Sequence, residues 1–202
     1  RRNLELLRSL GVPDGGAPAV VPSPPHDEVD RVERFVRASG LPGRFMLVHP
    51  GVSRFGSIKQ WPAECWVALC RKLAECGVAV GLSAGPGEEA LAAEIASRAG
   101  SPPIAQGFSL LQLAELIRRA AAFVGADTGP TQIAWIVGTP TVCLMGPKDP
   151  ALYGPIGEPH RKLVAGHLAC RPCTRRSCPN NRCMKEIAVD DVLAAALSVA
   201  QG

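Results

Sequence analysis

No stretch of this sequence comes near the roughly 18 consecutive apolar residues that a membrane-spanning helix needs. No G-x-G-x-x-G follows the first expected strand, and no G-x-x-x-x-G-K-[ST] occurs anywhere, so hydride transfer and P-loop hydrolysis both lose ground. Aromatic residues make up only 4% of the chain and none lies between Arg161 and Lys185, which removes the stacking platforms a nucleic-acid groove would use there. Asp and Glu are also missing from that stretch, which holds seven Lys and Arg. It is a local positive field on a chain of net charge only +4. The opening RRNLELLRSLGV has neither the apolar centre nor the cleavage site of a signal peptide and reads as a linking helix, followed by a Pro/Gly-rich hinge, GVPDGGAPAVVPSPP. A start at Arg1 suggests an excised fragment.

What is present is an ordinary globular composition: 202 residues, 47% apolar and 20% charged, enough for one sizeable core. The eight cysteines do not form the pattern of a secreted disulfide framework. Cys65, Cys70 and Cys76 follow helical spacing and Cys143 lies in an apolar run, so a reducing cytosol is the expectation.

From residue 26 onward short apolar strands alternate with amphipathic helices. DEVDRVERFVRA (27 to 38) predicts a helix ended by Gly40 and Pro42. Strands are expected at 45 to 49, 78 to 83, around Ile104, at 122 to 126, 141 to 146 and 161 to 166. Between them fall helices opened by Pro62, following GPGEE, N-capped by Ser109 and running from Pro130 to Val137, and a last helix covers about 189 to 200. Parallel neighbours require crossovers, and these are helical here, so the fold class is α/β, a Rossmann-like parallel sheet with helices on both faces. Such sheets bind ligands beyond the carboxyl ends of their strands. Four loops become candidates: His49 to Trp61, Ser83 to Glu88, Gln106 to Leu110 and Asp127 to Thr131.

Their chemistry suits a phosphorylated, hydroxyl-bearing ligand. In Asp127-Thr128-Gly129-Pro130 the glycine admits close backbone approach, and the proline starts a helix whose first amides favour anions. A carboxylate repels phosphate, so Asp127 either caps the helix or accepts hydrogen bonds from sugar hydroxyls. Lys59 is either a solvated surface cation or the point charge that neutralises phosphate. Glu88 is either a first-turn helix acid or a ribose ligand.

Taken in order, HPG...KQWP, GPGEE, GFSLLQLAELI, GADTGPTQIAWIVGTPTVCLMGP and CRPCTRRSCPNNRCM resemble the glycosyltransferase family 9 heptosyltransferases of lipopolysaccharide synthesis, from about Phe45 to the C-terminus. The resemblance implies the C-terminal, donor-binding half of a GT-B glycosyltransferase. It would comprise residues 26 to 202, with a linking helix and hinge at 1 to 25, and the N-terminal acceptor domain absent. The implied reaction is inverting transfer of a sugar, ADP-heptose by family, to a lipopolysaccharide-core acceptor, with no catalytic base in this chain. By position Lys59 meets the donor diphosphate and stabilises the leaving charge, and Ser53 joins the donor-binding set. Glu88 meets the ribose, Phe108, Ser109 and Leu110 the base, and Asp127, Thr128 and Gly129 the phosphates and sugar. Gln132 stands where the family usually has His. The resemblance implies no required cofactor, a cytoplasmic setting with peripheral contact at the inner membrane, and no nucleic-acid partner.

Cys170, Cys173, Cys178 and Cys183, in a basic loop at about 168 to 185, leave three readings open: a structural zinc, disulfides or free thiols. The neighbouring arginines and Lys185 are expected to lower the thiol pKa values. A rival from another class is a zinc-stabilised basic module for nucleic acid or an acidic partner, and another GT-B enzyme, such as a sugar-nucleotide epimerase, is a third.

Overall fold

The computed structural model describes residues 9, 11 and 22–201. The linking helix and hinge expected over 1 to 25 fall almost entirely outside the described residues. Helix α1 is His26–Ala38 and strand β1 Met46–His49, followed by a 3-10 turn, Arg54–Lys59. Then come α2 (Ala63–Glu75), β2 (Val80–Ala84), α3 (Glu89–Arg98), β3 (Ile104–Gln106), α4 (Leu110–Arg119) and β4 (Ala122–Ala126). The chain continues through α5 (Gly129–Ile136), β5 (Thr141–Leu144), α6 (Pro150–Tyr153), β6 (Arg161–Leu163), α7 (Arg182–Lys185) and α8 (Val189–Ala200).

The six strands form one parallel sheet in the order β3-β2-β1-β4-β5-β6. Alternate residues of each strand point to opposite faces, and the burial follows that period. Met46 and Val48 of β1 and Val124 of β4 pack under α2, α3 and α8, with Trp66, Leu69, Leu73, Ile95, Val192 and Ala196. Leu47 and Phe123 pack on the opposite face with Val32, Leu116, Ile117 and Ala134 of α1, α4 and α5. Both faces being covered explains why β1, β4 and β5 are buried along their whole length.

The elements expected from the sequence are present, with two informative differences. Strand β2 begins at Val80, not at 78, because Gly77 (φ +74°) ends α2 in a left-handed turn: Val78 N–H donates to Leu73 O and Gly77 N–H to Ala74 O. Val78 and Ala79 therefore leave the helix before pairing starts. The second difference is two single-turn helices, α6 and α7, inside segments whose sequence reads only as loop.

Candidate functional site

The strand order reverses between β1 and β4: the chain winds outward one way through β2 and β3, and the other way through β5 and β6. The loops leaving β1 and β4 therefore diverge and open a crevice between them. A cleft of about 400 Å³ lies there, lined by Ser53, Gly56, Lys59, Glu88, Asp127, Thr128, Gly129, Pro130 and Gln132. Seven of the sequence-derived candidates meet in it, drawn from loops after three different strands.

Lys59 sits at the end of the 3-10 turn after β1 and Asp127 directly after β4. Its ammonium donates to the Asp127 carboxylate at 2.6 Å and to the Asp127 carbonyl at 2.7 Å. An ammonium has three N–H donors, so one remains for a ligand. Asp127 does not cap α5: the N-cap is Thr128, with no side-chain cap bond, and the Thr128 hydroxyl turns back to Ala126 O. The first amides of α5 are thus left to the cleft, where they favour an anion. A Cβ on Gly129 would meet no protein atom within 4 Å, so the space beside that backbone is cleft.

Gln132 is held from three sides. The Trp135 indole N–H, which can only donate, bonds its Oε1 at 2.8 Å. That directs the NH2 group towards Tyr153 O at 3.2 Å and Asp127 Oδ1 at 3.4 Å. The second Asp127 oxygen is therefore braced by a neutral donor while the first holds Lys59. An imidazole at position 132 would bring a titratable charge to the same place.

Glu88 occupies the N-cap position of α3 with no side-chain bond to that helix, and its Oε2 accepts from Gly85 N–H at 2.7 Å. His49, the last residue of β1 and 2% exposed, brings Nε2 to 3.3 Å from the same oxygen and Nδ1 to 3.0 Å from Ser83 Oγ. Burial pushes the His49 pKa below its ordinary value, with the Glu88 charge and Ser83 pulling the other way. His49 and Ser83 were bounding residues of candidate loops without being assigned a role. The available signal was a polar residue at the carboxyl end of each of two buried apolar strands.

Phe108, Ser109 and Leu110 do not line this cleft. Ser109 N-caps α4 in a reciprocal capping box with Gln112, and its hydroxyl also bonds Glu28. Phe108 packs edge-on against Phe35, with the Arg31 guanidinium 5.3 Å from its centroid. Leu110 is exposed. The three stand beyond the carboxyl end of edge strand β3, which β2 and β1 separate from β4 in the sheet.

The four clustered cysteines all line a second cavity, of about 430 Å³, with Ile58, Pro147, Asn180 and three arginines. The eight cysteines are unbridged, and among the described residues no three His, Cys, Asp or Glu side chains converge as a metal-ligand set. The thiol pKa expectation needs correction. Cys178 is lowered chiefly by backbone N–H groups of Asn181 and Asn180, with Arg175 and Lys185 contributing less, whereas burial raises Cys183 against the opposing charge of Arg171. Arg171 instead donates to Met145 O, Lys148 O and Ala165 O, tying together the loops after β5 and β6.

A doubly wound parallel sheet with a crevice at its reversal point defines the class: a Rossmann-like α/β domain of the GT-B kind. The model of glycosyltransferase family 9 (heptosyltransferase) matches residues 2–184, and the chain belongs to that family. It is 28% identical over 199 residues to lipopolysaccharide heptosyltransferase 3 of Escherichia coli K12, covering 96% of this chain and 57% of that protein. The chain thus spans little more than half the length of that relative. Its fold is that of a glycosyl transferase family 9 protein from Veillonella parvula (TM-score 0.81, 21% identity, 98% of this chain and 58% of that one). It is also similar to E. coli ADP-heptose LPS heptosyltransferase II (TM-score 0.71, 22% identity, 94% and 56%).

Proposed function

We propose that this chain binds the sugar-nucleotide donor of an inverting heptosyltransferase acting on a lipopolysaccharide-core acceptor. The observation that carries the reading is the Lys59–Asp127 pair, set beside an uncapped helix start at the point where the sheet reverses. The donor is a nucleoside diphosphate sugar, ADP-heptose by the names of its relatives. In transfer, an acceptor hydroxyl oxygen forms the new bond to the anomeric carbon as the bond from that carbon to the diphosphate oxygen breaks. Configuration inverts and the electron pair leaves on the diphosphate. The free Lys59 N–H and the α5 amides receive that growing negative charge in fixed positions, which lowers the barrier without reorganisation. Asp127 keeps Lys59 in place and turns its carboxylate to the sugar hydroxyls. The acceptor proton passes to a base outside this chain.

Isothermal titration of ADP, GDP and UDP into the protein tests the donor class. Saturable binding of ADP supports the reading, and no binding of any nucleoside diphosphate contradicts it. Contact with the acceptor's membrane belongs to the same proposal. No described helix is long and apolar enough to cross a bilayer. Leu152, Tyr153, Ile156 and Val164 are nevertheless exposed beside Lys148 and Lys162, the mixture that favours an anionic lipid surface. Co-sedimentation with phosphatidylglycerol vesicles but not with phosphatidylcholine vesicles is the expected outcome.

A further inference from the structure

Glu88 has an asymmetric carboxylate. Its Oε2 accepts from Gly85 N–H and lies 3.3 Å from His49 Nε2, whereas no donor among the described residues reaches Oε1. The backbone is shaped around this one rotamer. A Cβ on Gly51 would collide with Glu88 Cδ and Oε2, and a Cβ on Gly85 would fall 3.0 Å from Oε2. Any larger residue at 51 would have to push the Glu88 carboxylate out of this rotamer, since contacts that short do not occur between real atoms. Behind it, His49 is 2% exposed and Ser83 1% exposed, so neither touches solvent or ligand.

The hydrogen-bond chemistry of the three side chains has one consistent arrangement. An ionised carboxylate can only accept, so the imidazole proton that faces Glu88 is on Nε2. A neutral ring carrying that proton leaves Nδ1 as the acceptor for the Ser83 hydroxyl, and burial, which pushes the His49 pKa down, favours that form. Ser83 lies on β2 and His49 on β1, in adjacent parallel strands, so the two are anchored on hydrogen-bonded neighbours in the sheet.

We propose that His49, oriented by Ser83, is a positioning residue for ligand recognition: it holds Glu88 by Oε2 and thereby presents Oε1 to the cleft as an acceptor for a ligand's vicinal hydroxyls. This rests on the reading of the cleft as a nucleoside diphosphate site, and it assigns that site's hydroxyl recognition to a buried pair that never meets the ligand. A histidine that only fills core space would leave hydroxyl recognition unchanged when replaced by a side chain that still folds.

The test compares ADP with 2′,3′-dideoxy-ADP, which lacks both ribose hydroxyls, by calorimetry on the whole chain. Wild type should favour ADP by about tenfold or more, the usual scale for hydrogen bonds to a charged group. Glu88→Ala should abolish that preference. His49→Ala should reduce it most of the way towards Glu88→Ala while leaving dideoxy-ADP affinity within about twofold. His49→Gln, whose amide N–H can reach the place of Nε2, should restore much of it, whereas His49→Asn, which reaches only the place of Nδ1, should not. Ser83→Ala offers a milder probe should the His49 variants fail to fold, and it should weaken the preference in the same sense. If His49→Ala and Ser83→Ala keep the full preference while Glu88→Ala loses it, the positioning role is overturned and the nucleotide site stands. If wild type binds both ligands equally, the positioning role falls while the nucleotide site stands, and if it binds neither, both fall.

Discussion

The cleft and the cysteine cavity lie on two sides of the same short stretch of chain: the 3-10 turn gives Ile58 to one and Lys59 to the other. They were built in opposite ways. The cleft gathers residues 53 to 132, and the groups that meet there complete each other's bonding: Lys59 with Asp127, Gln132 with Asp127, Glu88 with His49 and Gly85. The cysteine loop holds four thiols within 14 residues, and they form no ligand set. Their partners are local: Arg175 N–H donates to Cys173 Sγ, Asn181 N–H donates to Cys178 Sγ, and the Cys183 thiol donates to Asn181 Oδ1. The loop's long-range bonds are structural, such as Arg171 to three carbonyls and Asn181 to Gln60 O. Nearness in sequence does not draw the four thiols into one cluster, whereas strand order brings side chains from distant loops into direct contact in the cleft.

That contrast can be broken most sharply at the Lys59–Asp127 pair. Lys59→Ala should weaken ADP binding by roughly tenfold to a hundredfold, the loss of charge-assisted contacts worth about 1.5 to 3 kcal/mol. Asp127→Ala should weaken it less, because it frees an ammonium that can still meet phosphate. The double variant should bind about as poorly as Lys59→Ala alone, since the pair acts as a unit. Full additivity would mean that the two residues act separately.

A smaller effect concerns acid stability, and on the cleft side it comes from His49. His49 has a folded pKa below that of the unfolded chain, so acidification favours the unfolded state, which binds the extra proton. The contribution is complete above the unfolded value of 6.5 and is lost as pH falls through the lowered folded value. Partly buried His160 acts in the same direction. Melting temperature should therefore drop between pH 7 and mildly acidic pH, and the drop should be smaller in His49→Gln. An identical profile for the two proteins would contradict the buried neutral imidazole.

The smallest change is expected in the cysteine loop. Cys178→Ser keeps an acceptor for the Asn181 and Asn180 amides, and should leave ADP affinity within about twofold, the scale of a surface substitution away from the ligand. A large loss would join the two regions functionally.

How much of this could be read from the sequence follows the same division. The sheet was legible because apolar period and glycine punctuation are local signals, and AFVGA followed by Asp-Thr-Gly-Pro carries both. Lys59 and Asp127 were legible as candidates by their places after strands. Their direct contact depends on β1 pairing with β4 across about seventy residues, which no local pattern states. Asp127 looked like a helix cap because local sequence cannot show that a lysine from another strand claims its carboxylate. His49 was overlooked because a polar residue ending an apolar strand has no partner until β2 is laid beside it. The Phe108 to Leu110 assignment came from the resemblance, and those residues stand along the sheet from the cleft, engaged with α1.

The account's central claim, that a nucleoside diphosphate binds at the reversal of the sheet against Lys59 and the start of α5, is tested most directly by titrating ADP into the protein and following assigned backbone amide resonances. Saturable shifts at Lys59, Gly85, Gly129 and Thr131, with none at Cys173, Cys178 and Asn181, are predicted. Shifts centred on the cysteine loop, with the residues around Asp127 unmoved, would contradict it.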